Sequence, residues 1–287
     1  MPDEVTQTSE VSEKPVNPIE YPFEYFDAQV RFALKWAEIS GEPPADTLLD
    51  KTALHRRLNP TGDNSNLVWQ DFMNNISASG DPTEISNEAY GRYLSQPQSR
   101  YAEPTYPEND GKHFGYFAFD YFPQNSETGE SNRIKVHFIN RQRGEKSGLD
   151  PEYLPQRQAD LKRMFAHIQN AYPQADEVVG GSWLYALKSY RDSFPPGFTI
   201  DMKQLVPKGF GHIPNSVPNM SFHGNSLWGQ FVDRRGNARD LVYREFLGRV
   251  DNSKSLDDLV DAFPNKPYQP KAPISIFYDW TASGATS

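Results

Sequence analysis

The chain has 287 residues, enough for one large domain or two small ones, and although only 37% are hydrophobic, a 13% aromatic share supplies the bulk for a core. It has no cysteine, which excludes thiol nucleophiles, disulfides, iron–sulfur clusters and thiolate zinc sites. A formal charge of −9 argues against a nucleic-acid partner, and no apolar run reaches the ~18 residues of a membrane-spanning helix.

Residues 1–18 are acidic and polar, with Pro2, Pro15 and Pro18, and read as a flexible, solvated tail. They lack the basic start and apolar run of a secretion signal, so the expected location is cytoplasmic. Phe23, Phe26, Val30, Ala33 and Ala37 recur at helical spacing and predict a helix to about Ile39, stopped by Gly41, Pro43 and Pro44. Further helices are predicted near 47–58, 66–77 and 84–95, which makes 19–104 a helical region.

The pattern changes after the turn-rich stretch Pro104 to Gly111. HFGYFAFDYF (113–122) and RIKVHFIN (133–140) predict strands. A helix is predicted over 153–171, with Leu154, Leu161, Phe165 and Ile168 on one side. DEVVGGSW (176–183) reads as a short strand and 184–194 as a helix. Residues 195–224 form a long irregular segment rich in proline and glycine. A strand (225–233), helices over 237–250 and 255–263, and a proline-rich tail complete the chain. The expected class is α+β: a helical N-terminal region followed, over 105–287, by a mixed sheet with helices packed on it.

Four groups of residues bear on chemistry. Gly180-Gly181-Ser182-Trp183-Leu184 resembles a nucleophile elbow without its second glycine, so Ser182 is either a nucleophile or the cap of the next helix. Arg141-Gln142-Arg143-Gly144-Glu145-Lys146 directly follows a strand and suits either a pyrophosphate cradle or a solvated basic loop. No histidine pair has metal-ligand spacing, and none is expected to hold a metal; His212 and His223 lie in the long irregular segment, where ligand contacts concentrate. The hydroxyls of Tyr185 and Tyr190 are candidate proton donors.

The runs IKVHFIN, SGLDPEYLPQRQADLKRMFAHIQNAYP and DEVVGGSWLYAL resemble the GNAT-like C-terminal domain of poorly characterised bacterial acyltransferase-type proteins. The matching features are His137 within a strand, the Ser147-Gly148-Leu149 turn, a helix ending at Tyr172-Pro173, and a strand ending in Ser182-Trp183-Leu184. The likeness spans residues 112–235. It departs at Tyr185-Ala186-Leu187 and in the cofactor loop, where Arg141 and Gly144 match but Lys146 replaces a small residue.

This resemblance implies a GNAT-like mixed sheet and an acyl-CoA-dependent acyltransferase acting on a small molecule, or a relative that has lost catalysis. Arg141, Arg143, Gly144, Ser147 and Gly148 would then bind the cosubstrate. Tyr185, Tyr190 and His137 would form the catalytic set, with a tyrosine protonating the leaving thiolate. Ser182, His212 and His223 would face the acceptor. Acyl-CoA would be a passing cosubstrate, with no permanently bound cofactor. A non-enzymatic small-molecule-binding or interaction protein using the same cleft, and a serine hydrolase using Ser182, are the alternatives. The sequence gives no oligomeric state.

Overall fold

The first helix follows directly from its apolar spacing. In the computed structural model, α1 (Phe23–Ser40) buries Tyr25, Phe26, Phe32, Ala33 and Trp36 and stops at Gly41. That glycine has φ 76°, and its N–H bonds the Ala37 carbonyl, a left-handed cap closed to most other residues. The structure describes residues 20–58, 67–76, 80–96, 111–124, 131–139, 146–204, 225–233 and 236–283. The expected tail over 1–18 lies outside them.

α2 (Pro44–Lys51) and α5 (Pro82–Leu94) pack on α1, and α3 (Leu54–Leu58) and α4 (Leu67–Ile76) pack on those two and on each other. The single helix expected over 47–58 is two, broken at Thr52, whose φ and ψ are extended. Asp81 starts α5 by accepting the Thr83 N–H, with Pro82 at the first helical position.

The aromatic run 113–122 is a hairpin, not one strand. β1 (His113–Phe114) turns through Gly115-Tyr116 into β2 (Phe117–Phe122). β3 (Arg133–Phe138) pairs antiparallel with β2 along its whole length. α6 (Leu154–Ala171) then crosses to β4 (Glu177–Val179), which is parallel to β3. β5 (Lys203–Gln204) and β6 (Tyr268–Gln269) form a small separate ladder, and β7 (Lys271–Pro273) runs antiparallel beside β4. The main sheet is mixed, in the order β1-β2-β3-β4-β7.

Three expectations are corrected. Residues 184–194 are not one helix: a 3-10 turn (Trp183–Ala186) is separated from α7 (Lys188–Arg191) by Leu187, which is extended. Residues 225–233 are not a strand. They form α8 (Asn225–Trp228) and a 3-10 turn (Gly229–Phe231), because Leu227, Trp228 and Phe231 all turn into one core instead of alternating. The proline-rich C-terminal stretch is ordered structure, giving β6, β7 and α11 (Ser275–Ala282). Pro273 is tolerated because β7 lies at the sheet edge.

The buried side chains form two cores. The helical core joins α1–α5 to residues 227–263, which carry α9 (Asp240–Asn252) and α10 (Leu256–Asp261). At its centre Phe32, Trp228, Phe246 and Phe263 meet ring to ring at 5.0–6.2 Å. The sheet core holds β2–β4, α6, residues 185–198 and α11. Residues 227–263, grouped with the sheet by sequence order, thus pack with the N-terminal helices. Trp183 leans on the helical core while Tyr185, two residues later, is buried in the sheet core. No helix among the described residues is long and apolar enough to cross a membrane.

Candidate functional site

The parallel pair β3 and β4 stays together for only three registered positions, ending at Lys135 and Val179. Beyond them β3 keeps its bonds to β2 as far as Phe138. On its other side the chain leaving β4 keeps its antiparallel register: Gly180 N–H bonds the Pro270 carbonyl at 3.0 Å, and Ser182 exchanges bonds with Tyr268 at 3.1 and 3.2 Å. The pairing of the two central strands ends at Lys135 and Val179 while their outer ladders run on, and there they part.

Two tyrosines bridge the parting. Tyr190 stands edge-on to Phe138 of β3 at 5.4 Å, and Tyr185 meets Tyr190 at 4.9 Å. The Tyr185 phenol rests against Gly180, so closely that a Cβ there would lie 2.5 Å from its Cζ. This is the close approach that glycine permits and any side chain would block. Both tyrosines are 1% exposed. Burial pushes the Tyr185 phenol well above its ordinary pKa, with the neighbouring Tyr190 adding to the rise. Burial likewise raises Tyr190. The Tyr185 and Tyr190 hydroxyls are close enough for a hydrogen bond between them to act on both phenols. Tyr116 Oη has no hydrogen-bond partner among the described residues, and its phenol is pushed up to about 12 by burial, with Tyr153 adding to it.

A second buried group fixes the surroundings. Arg157 of α6 is fully buried; its fork is satisfied by carbonyl and hydroxyl oxygens, and Asp150 and Asp192 act on it through charge. It donates to the Gly148 and Asp150 carbonyls at 2.7 and 3.0 Å, to the Ser189 carbonyl at 3.0 Å and to Ser193 Oγ at 2.8 Å. Desolvation lowers its pKa from the usual guanidinium value. One side chain thus ties the Ser147–Asp150 turn to the segment that carries the two tyrosines. The sequence signal was available: Arg157 sits at helical spacing between Leu154 and Leu161, where an apolar residue belongs.

Of the expected site residues, the structure brings together Tyr185, Tyr190, Gly148 and Ser147, the last two through Arg157. Ser147 Oγ accepts the Leu149 N–H at 3.2 Å. Ser182 Oγ accepts the Leu184 N–H at 3.1 Å and so caps the 3-10 turn. His137 is placed elsewhere. Ile134 and Val136 point into the sheet core, so Lys135 and His137 alternate onto the opposite face. There His137 Nε2 meets Asp120 Oδ2 at 2.8 Å, and that hydrogen bond holds the Asp120 carboxyl below its usual range. Arg141, Arg143, Gly144, His212 and His223 lie outside the described residues.

No match identifies the chain. No family model fits it, and no curated protein or solved structure resembles it closely enough to count. Among the described residues, no group of three or more His, Asp or Glu side chains could hold a metal ion. The chemistry on offer is a parted parallel strand pair, a buried pair of phenols at the parting and a turn clamped beside it.

Proposed function

We propose that the sheet half is a GNAT-like domain that binds acyl-CoA where β3 and β4 part, and that the protein transfers the acyl group to a small-molecule amine. The observation that carries this reading is the parting itself, after Lys135 and Val179, with the buried Tyr185 hydroxyl against Gly180. Strands that separate free the backbone groups on their facing edges, which an extended amide-containing ligand can bond. A phenol hydroxyl can both donate and accept, so the Tyr185–Tyr190 pair can serve an acceptor atom on such a ligand. The basic stretch Arg141–Lys146, which follows β3 in the sequence, carries the positive charge that the phosphates of such a cosubstrate would need. Acyl-CoA would supply the activated acyl group; Tyr185 would orient it and hold the proton that the departing thiolate takes.

A second reading, binding without chemistry, is favoured by the burial of Tyr185 and Tyr190. A proton donor works best with a pKa near the operating pH, and burial moves both phenols away from it. The experiment is a calorimetric titration of acetyl-CoA into wild type, Tyr185→Phe and Arg141→Ala/Arg143→Ala, beside an assay of thiol release with an amine panel. Acyl transfer requires binding that weakens about tenfold, ~1.4 kcal/mol, in each variant, with thiol release lost in Tyr185→Phe. Binding with no thiol release selects the second reading. No binding at millimolar acetyl-CoA removes the acyl-CoA site.

A further inference from the structure

α6 packs on the face of the main sheet that holds Phe119, Ile134, Val136 and Val178. The other face carries the alternate residues, among them Asp120 of β2, Lys135 and His137 of β3, and Glu177 and Val179 of β4. Register sets Lys135 between Asp120 on one side and Val179 on the other.

An ammonium in this place would ordinarily take one of the two carboxylates, but both are committed. Asp120 Oδ2 meets His137 Nε2 at 2.8 Å, and Glu177 Oε1 meets Lys271 Nζ at 2.7 Å. Lys135 is left half-buried, with neither a hydrogen bond nor an ion pair to any described residue. Burial holds its amine below the ordinary pKa; Asp120 opposes that through charge alone, and Arg133, two residues back on the same face, adds to it. An unpaired, partly desolvated lysine is a nucleophile, because its nitrogen lone pair is tied to no acid.

The surroundings differ on its two flanks. Val179 is 7% exposed and makes a dry apolar wall. The side chains of Asp120 and His137 are 54% and 39% exposed, so a small molecule can reach the amine from that side. His137 also supplies a proton carrier. Asp120 fixes its ring through Nε2, which leaves Nδ1 without a partner among the described residues.

We infer that Lys135 is a carbonyl-trapping amine, which holds a small apolar aldehyde as an imine while His137 moves the protons. The amine lone pair attacks the carbonyl carbon, and the carbonyl oxygen takes a proton to give a carbinolamine. The oxygen then leaves as water. Both protons of the neutral amine end on that water, carried by His137, and no oxidant or reductant is consumed. The inference does not rest on the acyl-CoA reading, since Tyr185 and Tyr190 lie in the core on the opposite face.

The test is trapping on the full chain. Butanal with sodium cyanoborohydride at neutral pH turns an imine into a stable butyl-lysine, which peptide mass spectrometry assigns to its residue. Lys135 should be labelled at least about tenfold faster than Lys271, the ion-paired lysine on the same face. His137→Gln, at a half-exposed side chain outside both cores, should slow the labelling of Lys135 about tenfold, leave Lys271 unchanged and keep the circular dichroism spectrum. Labelling of Lys135 no faster than that of Lys271 would overturn the inference, as would a His137→Gln protein labelled at Lys135 as fast as wild type.

Discussion

Replacing Gly115 with alanine tests the hairpin that starts the sheet. Gly115 has φ 56°, and a Cβ there would overlap the carboxylate of Asp160. Two costs add. A left-handed backbone with a side chain costs about 1–2 kcal/mol. The Asp160 carboxylate, 1% exposed, must also move from the Tyr116 N–H it accepts at 3.1 Å, and a hydrogen bond to a charged group contributes ~1.5–3 kcal/mol. Gln156 Nε2 at 2.9 Å and Arg163 Nη2 at 2.5 Å hold that carboxylate in place, so it cannot retreat freely. Gly115→Ala should therefore cost about 3–5 kcal/mol, a large part of the stability of an ordinary domain. Urea unfolding followed by far-ultraviolet circular dichroism measures it. A cycle with Asp160→Ala separates the two costs, since without the carboxylate the same substitution should cost only about 1–2 kcal/mol. An equal cost in both backgrounds would show that the carboxylate does not fill the space beside Gly115.

Arg157→Leu strips donors from three carbonyls and a hydroxyl and should cost about 3–5 kcal/mol in urea unfolding; Arg157→Lys should recover little, because an ammonium is a single point of charge. Trp183→Ala should cost less than the ~3–5 kcal/mol of a fully buried ring, as Trp183 is only partly buried, and it should separate the unfolding midpoints of the two cores; one unshifted transition would sever the link assigned to it. The buried phenols give an alkaline limb. Their raised folded-state pKa values contribute stability that is full below the ordinary phenol value of about 10 and is lost as pH rises through the folded values. Tyr185→Phe should lose less stability than wild type between about pH 10 and 12, measured by urea unfolding across that range. An equal loss would mean that its phenol is not a source of the limb.

Local spacing made part of this structure legible. The apolar repeat of α1 and the stripe of α6 marked both helices to within a residue or two, whereas RIKVHFIN, with Phe138 and Ile139 apolar on both faces, did not separate His137 from the side of the sheet that holds the tyrosines. Of the two roles the sequence left open for Ser182, the structure shows the cap. What stayed hidden was non-local. The aromatic run 113–122 looks continuous because Tyr116, at the turn, is as apolar as its neighbours. Leu227, Trp228 and Phe231 suit a strand or a helix until their partner surface is known, and that surface is Phe32 and Phe246, far along the chain. β4 continues its ladder with the chain running into β7 through Gly180–Pro270 and Ser182–Tyr268 after its pairing with β3 has ended, and no window of sequence contains all three strands.

The division of the helical core has a consequence for biosynthesis. Helices α1–α5 leave the ribosome first, yet Trp228, Phe231, Phe246 and Phe263, which fill the middle of their core, are still to be made. Some 167 residues separate Gln96 from Phe263 (263 minus 96). At ~5–20 residues per second the early helices wait about 10–30 s, long enough for the intervening sheet to form while they remain incomplete. During that interval Phe32 and its neighbours are an exposed apolar surface, open to chaperones and to association with other nascent chains. A circular permutant that places residues 225–263 directly before α1 would deliver that core in one piece, and its yield in cell-free synthesis without chaperones should rise relative to the native order.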